Sequence, residues 1–280
     1  MHYKLIAIDC DRTLLDSTGH IPEINKRVIG LVREKGAEVV IATGRNDILA
    51  KDYAEELGLD NTMISCNGAV LSNVIKNEVY SVHALDKKAL DIYIDCCQRM
   101  NVLFKVLSVN ACYTNDEQAM KLGLMQITKG YTKELKYKLP YHFVEDMTIL
   151  RGREDIVKAV VIEDDPDRRA AIYAQLKDLP HVNVYYAGFN CIDAISENAS
   201  KGLALEALAK MRGVAREDII AFGDGENDAS MIKYAGLGIA MQNGDEQLKA
   251  AADMVTEFTA DDGGVGRTLA KLFETELKGE

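Results

Sequence analysis

No stretch of this chain approaches the roughly 18 consecutive apolar residues that a membrane-spanning helix needs, so no membrane partner is expected. The apolar run at the N-terminus, KLIAID from Lys4 to Asp9, meets an acid too soon to serve as the apolar segment of a secretory signal. Positive charge is in deficit: 33 Lys and Arg face 44 Asp and Glu, for a formal net charge of -11. A surface of that sign repels phosphate backbones, which argues against a nucleic-acid partner. It leaves room for a small phosphorylated molecule in a locally positive pocket. The six cysteines, at 10, 66, 96, 97, 112 and 191, form no CxxC and no Cys/His ligand spacing, so no zinc site is signalled. Read as reduced thiols, they fit a cytoplasmic protein. Ser65 and Ser108 lack a G-x-S-x-G setting, and no Walker loop or G-x-G-x-x-G follows a strand. Serine hydrolysis and those two nucleotide cradles therefore drop out. His83, His142 and His181 have no triad partners in view.

What is present is an alternation of strand and helix. The chain has 280 residues, 48% of them apolar, enough for a sizeable core. Lys4–Asp9 is a short apolar run suited to a strand buried on both faces. Pro22 suits a helix start, and Ile24, Val28, Leu31 and Val32 follow at helical spacing. Glu38–Ala42 reads as a second strand, Asp47–Leu57 as a helix closed by Gly58, and Met63–Ser65 as a third strand. This order predicts a doubly wound α/β fold on a parallel sheet with right-handed crossovers. The last third repeats the pattern: a helix over 201–211, a strand over 219–222, a helix near Ser230 and a strand over 238–241. Between them, polar helices (86–100, 166–179) and β-rich runs (102–109, 157–162, 182–186) read as a separate α/β unit. The expected division is a core of residues 1–84 and 188–280 with an inserted cap of residues 85–187. With four prolines and no low-complexity linker, the insertion connects through short segments near Ala84 and Gly188.

The chemistry gathers at predicted strand ends. Asp9 and Asp11 are separated by one residue and point the same way from an extended segment. In open parallel sheets, ligands bind beyond the carboxyl ends of the strands. A carboxylate pair there can hold a hard cation or divide the roles of nucleophile and acid. Alone, Asp-x-Asp is as often a solvated turn. Thr43-Gly44-Arg45 ends the next strand with a hydroxyl, a backbone N–H and a cation, a set that can hydrogen-bond a phosphate. Lys201 opens a helix, adding an ammonium to the positive end of its dipole. Gly223–Asp228 (GDGEND) gathers three acids and an amide directly after an apolar strand, a costly arrangement without a cation.

Taken together, DCDRTLLD (9–16), IATGR (41–45), ISCNGAV (64–70), SKGLAL (200–205), GDGENDASM (223–231) and GLGIAM (236–241) resemble the haloacid-dehalogenase superfamily, specifically its Cof-type, sugar-phosphate-phosphatase-like hydrolases. The resemblance implies a Rossmann-like core with an inserted α/β cap and a phosphatase acting on small phosphorylated metabolites. It implies Asp9 as the nucleophile that becomes an aspartyl-phosphate, and Asp11 as the acid that protonates the leaving oxygen and then activates water. Cys10, Thr43, Gly44, Lys201 and Asn227 fall to the phosphate. Mg²⁺ falls to the Asp9 carboxylate, the Asp11 main-chain carbonyl and Asp224, with Asp228 in support. The role given to Asp11 needs a carboxyl whose pKa is raised.

Three places depart from the family pattern. Arg12 stands where glycine is usual in Asp-x-Asp-Gly-Thr, Gln242 replaces a glycine, and SENASKG lacks the usual proline and glycine. Two alternatives stay open on the same core: transfer of the phosphoryl group to a sugar, as in a phosphotransferase or phosphomutase, and a weakly active phosphate-ligand binder, motivated by Arg12. Arg45 is read equally as a site residue or a structural ion pair. Oligomeric state is not legible.

Overall fold

The computed structural model describes residues 2–117, 131–187 and 190–274. Two sheets organise them. The larger has eight strands: β1 (Leu5–Ile8), β2 (Glu38–Ala42), β3 (Thr62–Ser65), β4 (Val70–Asn73), β5 (Glu78–Val82), β12 (Ile219–Gly223), β13 (Leu237–Ala240) and β14 (Met254–Val255). Their order is β14-β13-β12-β1-β2-β3-β4-β5. From β14 to β3 every ladder is parallel; β3, β4 and β5 pair antiparallel. The short apolar runs read from the sequence become central strands because both of their faces are covered. Ile6, Ile8, Val39, Ile41, Ile220 and Phe222 pack on one side of the sheet. Leu5, Ala7, Val40, Ala42, Ile219 and Ala221 pack on the other. That is the continuous hydrophobic pattern of a parallel sheet sandwiched between helices.

The helices Glu23–Glu34, Asp47–Glu56, Lys201–Arg212 and Gly264–Leu272 supply these covering layers. Asn46 caps the second of them, its side chain accepting from the Ile48 N–H, and Ser200 caps the third by accepting from Leu203. Gly213, left-handed at φ 65°, ends it. No described helix is long and apolar enough to cross a membrane.

The second sheet has six strands: β6 (Phe104–Ser108), β7 (Cys112–Thr114), β8 (Tyr141–Phe143), β9 (Ile156–Ile162), β10 (Val182–Ala187) and β11 (Cys191–Ser196). Their order is β10-β11-β9-β6-β7-β8. One face carries Phe104, Val106, Ala159, Val161, Ile192 and Ala194, packed beneath the helices Lys87–Arg99 and Pro166–Leu176. The opposite face, with Lys105, Leu107, Lys158, Val160 and Asp193, turns toward the carboxyl ends of the large sheet's strands. The expected return crossing at Gly188 lies outside the described residues. The end expected for the insertion, residue 187, falls one strand short of the second sheet: β11 is hydrogen-bonded between β9 and β10. Backbone pairing thus assigns 191–196 to the second sheet rather than the core, and the chain returns just before Lys201.

Candidate active site

Because β1, β2 and β12 are parallel neighbours, their carboxyl ends bring Asp9, Thr43 and Asp224 to one edge. After Asp9 the chain turns tightly, with the Leu14 N–H bonded to the Asp9 carbonyl and the Leu15 N–H to the Cys10 carbonyl. The alternation expected of Asp9-Cys10-Asp11 holds. Asp9 and Asp11 line a cavity of about 390 Å³, while Cys10 is fully buried in the apolar core behind them. The Cys10 side chain thus belongs to the core, which leaves only its backbone to face a phosphate. Burial pushes its thiol pKa well up.

Lys201 is the centre of the charge arrangement. It is fully buried, and its Nζ lies 2.6 Å from Asp9 Oδ1 and 2.6 Å from Asp228 Oδ1. Burial opposes its charge, but Asp228 and Asp9 outweigh that and raise its pKa. The helix that begins with Lys201 is brought close by Gly68, left-handed at φ +91°, where a Cβ would stand 2.1 Å from the Ser200 carbonyl oxygen. The other Asp228 oxygen accepts from the N–H groups of Asp224 (2.8 Å) and Gly225 (3.0 Å). Asp224 accepts from the Thr13 hydroxyl at 3.2 Å.

Lys201, with Arg12 beside Asp224, leaves three acids one positive charge short. Oxygens of Asp9, Asp224 and Asp228 lie within 4.8 Å of one another, all buried. Burial, then repulsion from Asp228, pushes the Asp9 carboxyl up to about 7 despite Lys201. Burial and the Asp9 charge push Asp224 well up as well. A set of buried oxygen donors with surplus negative charge fits a hard divalent cation.

Asp11 differs from expectation. Arg45 grips it through two bonds, Nε to Oδ2 at 2.9 Å and Nη2 to Oδ1 at 2.6 Å. Burial raises the Asp11 pKa, but the Arg45 charge and hydrogen bonds outweigh it and hold the carboxyl below its ordinary value. The expected raised pKa is thus not found in this conformation. Arg45, left undecided by the sequence, is both an ion-pair partner and a wall of the cavity. Its partner was unreadable because the pair spans 34 positions of sequence.

Thr43 is fully buried, and its hydroxyl oxygen accepts the Arg45 N–H at 3.0 Å. Gly44 lines the cavity and its carbonyl accepts from Lys158 Nζ at 2.7 Å. The Asn227 amide donates to Asn67 Oδ1 at 2.9 Å, and Asn67 donates to Asp193 Oδ2 at 2.9 Å. Asp193 in turn pairs with Lys158. This relay ties the second sheet to the carboxyl edge of the large one. The roles of Asn67, Lys158 and Asp193 are not legible in the sequence: Asn67 lies within the ISCNGAV motif without an assigned contact, and the other two show only as a Lys and an Asp in largely apolar strands.

Arg12 adopts the left-handed conformation, φ 61° and ψ 8°. The position thus has the geometry for which glycine is suited, occupied by arginine. Its Nη1 lies 3.3 Å from Asp224 Oδ2, its Nη2 donates to the Asn243 carbonyl at 2.9 Å, and Asn243 Nδ2 donates back to the Arg12 carbonyl at 2.8 Å.

An open sheet with acids at its central strand ends and a second α/β unit facing them defines a class. Residues 6–269 match the family model of haloacid dehalogenase-like hydrolases, and the chain belongs to that family. It is 28% identical to phosphatase YwpJ of Bacillus subtilis, over 96% of this chain and 99% of that protein. It is 30% identical to the 5-amino-6-(5-phospho-D-ribitylamino)uracil phosphatase YitU of the same organism, over 96% and 97% of the two chains. Among solved structures, a haloacid dehalogenase-like hydrolase from B. subtilis matches with a TM-score of 0.83 at 27% identity, over 96% of this chain and 99% of that one. The subclass IIB sugar phosphatase BT4131 matches in fold, with a TM-score of 0.78 at 22% identity, over 97% and 99%.

Proposed function

We propose that this chain is a cytoplasmic, magnesium-dependent phosphatase that hydrolyses small phosphorylated metabolites, sugar phosphates among them, through an aspartyl-phosphate on Asp9. The observation that carries the reading is the buried cluster of Asp9, Asp224 and Asp228 around Lys201, two of whose acids, Asp9 and Asp224, line the cavity. Family membership and the printed names of the relatives, phosphatases of phosphorylated compounds, support it.

Mg²⁺ would be held by the Asp9 and Asp224 carboxylates and the Asp11 carbonyl, with Asp228 behind them. When bound, it neutralises charge on the phosphoryl oxygens and on the acids, so that a dianionic substrate can approach an anionic nucleophile. Lys201 donates to Asp9 and fixes the orientation of the carboxylate that attacks phosphorus. As the P–O bond to the leaving group breaks, Asp11 gives its proton to the departing oxygen. Asp11 later takes a proton from the water that cleaves the aspartyl-phosphate, which releases phosphate and restores Asp9. The Arg45 pair favours ionised Asp11 and so suits the second step. The first step requires that pair to loosen so that Asp11 can carry a proton. The second sheet covers the cavity and restricts water during the first step.

The test is magnesium-dependent release of phosphate from an aryl phosphate, with Asp9→Asn as control. Steady release from a hexose phosphate supports hydrolysis; an isomerised sugar phosphate without release would assign the chain to the phosphomutases instead.

A further inference from the structure

Five cationic side chains line the cavity: Arg12, Arg45, Lys105, Lys158 and Arg169. Four have partners. Arg45 holds Asp11, Arg12 lies on Asp224, Lys158 holds Asp193 and the Gly44 carbonyl, and Arg169 Nη1 donates to the Glu163 carbonyl at 2.7 Å. Lys105 is the exception. Only 8% exposed, its side chain has no hydrogen bond or ion pair among the described residues. A lysine is rarely buried to this degree without a partner, because desolvating its charge is costly.

The position of Lys105 explains where its side chain goes. On β6 it pairs in register with Thr114 on one side and Val160 on the other. Two residues on, Leu107 shares its face, and Leu107 and Val160 are cavity wall. The ammonium thus belongs to the wall that the second sheet presents to the cavity lined by Asp9, beside Leu107 and Val160 and on the same face as the Lys158–Asp193 pair. A phosphate attacked by Asp9 would project its leaving group toward this wall. A charge in such surroundings is worth more to a ligand than one in water.

We propose that Lys105 is a specificity residue: its ammonium receives a second anionic group, a carboxylate or a further phosphate, carried on the leaving-group side of the substrate. Arg169, partly buried on the same cavity, extends this positive end. The assignment rests on the phosphatase reading for the orientation of the ligand, but binding tests it independently of turnover.

The experiment measures Kd by calorimetry in the presence of Mg²⁺ for two matched pairs, 3-phosphoglycerate against glycerol 3-phosphate and fructose 1,6-bisphosphate against fructose 6-phosphate. The full-length native chain and Lys105→Met are compared. The native protein should prefer the more acidic member of at least one pair by about tenfold or more, the value of one charge-assisted contact. The favoured pair identifies carboxylate or phosphate as the recognised group. Lys105→Met should lose the preference, Lys105→Arg should keep part of it, and turnover of a small aryl phosphate should stay within about twofold. No preference in the native protein overturns the proposal whether or not the variants fold, and so does a preference that survives Lys105→Met. Preferential binding without hydrolysis by the native chain would support Lys105 and overturn the phosphatase reading. Hydrolysis with no dependence on Lys105 would do the reverse.

Discussion

Replacing Arg12 by glycine separates two effects that the structure sets against each other. Arg12 is held at φ 61°, a conformation that costs an L-residue about 1–2 kcal/mol and glycine almost nothing. The substitution also removes the hydrogen bond to the Asn243 carbonyl, worth about 1.5 kcal/mol for a charged donor, removes the ion pair with buried Asp224, and adds freedom to the unfolded chain. The lost contacts outweigh the relieved strain, so unfolding free energy should fall by about 1–3 kcal/mol. Metal affinity should respond more. The guanidinium lies 3.3 Å from Asp224 Oδ2, so an ion on that oxygen would sit roughly 5 Å from it. Repulsion between a divalent ion and a single positive charge at that separation is about 1.5 kcal/mol even at the dielectric constant of water. Arg12→Gly should therefore bind Mg²⁺ about tenfold tighter, read by calorimetry, although the metal-free protein is somewhat less stable. Equal or weaker Mg²⁺ binding would refute the reasoning and make Arg12 a supporter of the cation site. Hydrolysis confined to the glycine variant would favour the phosphate-binding alternative for the native chain.

Lys201→Met leaves the Asp9 and Asp228 carboxylates buried without their shared counter-charge, so denaturant unfolding should show a loss of about 3–5 kcal/mol; a loss under about 1 kcal/mol would contradict the central role of Lys201. In metal-free protein, burial raises Asp9 from its ordinary value, about 4, to about 7, so between these values the folded state holds more protons than the unfolded. Its contribution to stability is then most favourable at low pH and is lost as pH rises toward about 7. The stability of the native chain minus that of Asp9→Asn should fall across this window in the presence of a chelator. Saturating Mg²⁺ should offset the fall, by about 2.7 kcal/mol at a hundredfold excess over Kd. A difference that rises with pH would contradict the placement of Asp9 among the other acids.

The core was legible because its strands are short, wholly apolar and followed at once by acids, as at Ile8-Asp9 and Phe222-Gly223-Asp224. Periodicity and local order locate such strand ends without any knowledge of distant partners. What sequence could not supply was pairing across the chain. Arg45 looks the same beside Thr43 whether it meets Asp11 or solvent, so the lowered Asp11 pKa was invisible. Lys105 and Lys158 interrupt apolar strands, and nothing local says which face of the second sheet looks at the site. Strand β11 was assigned to the wrong unit because CIDAIS reads equally well as an edge of either sheet; only its pairing with β9 and β10 decides. The hairpin of β4 and β5 was left unread because exposed Glu78–Val82 lacks a buried strand's apolar run.

The central claim is that Asp9 is the nucleophile, and one substitution addresses it directly. Asp9→Asn keeps the shape of the side chain and a carbonyl oxygen for Lys201, so the thermal transition and circular dichroism of the folded protein should persist. Magnesium-dependent release of phosphate from an aryl phosphate should then fall to the uncatalysed background. Turnover retained in a folded Asp9→Asn protein would contradict the account.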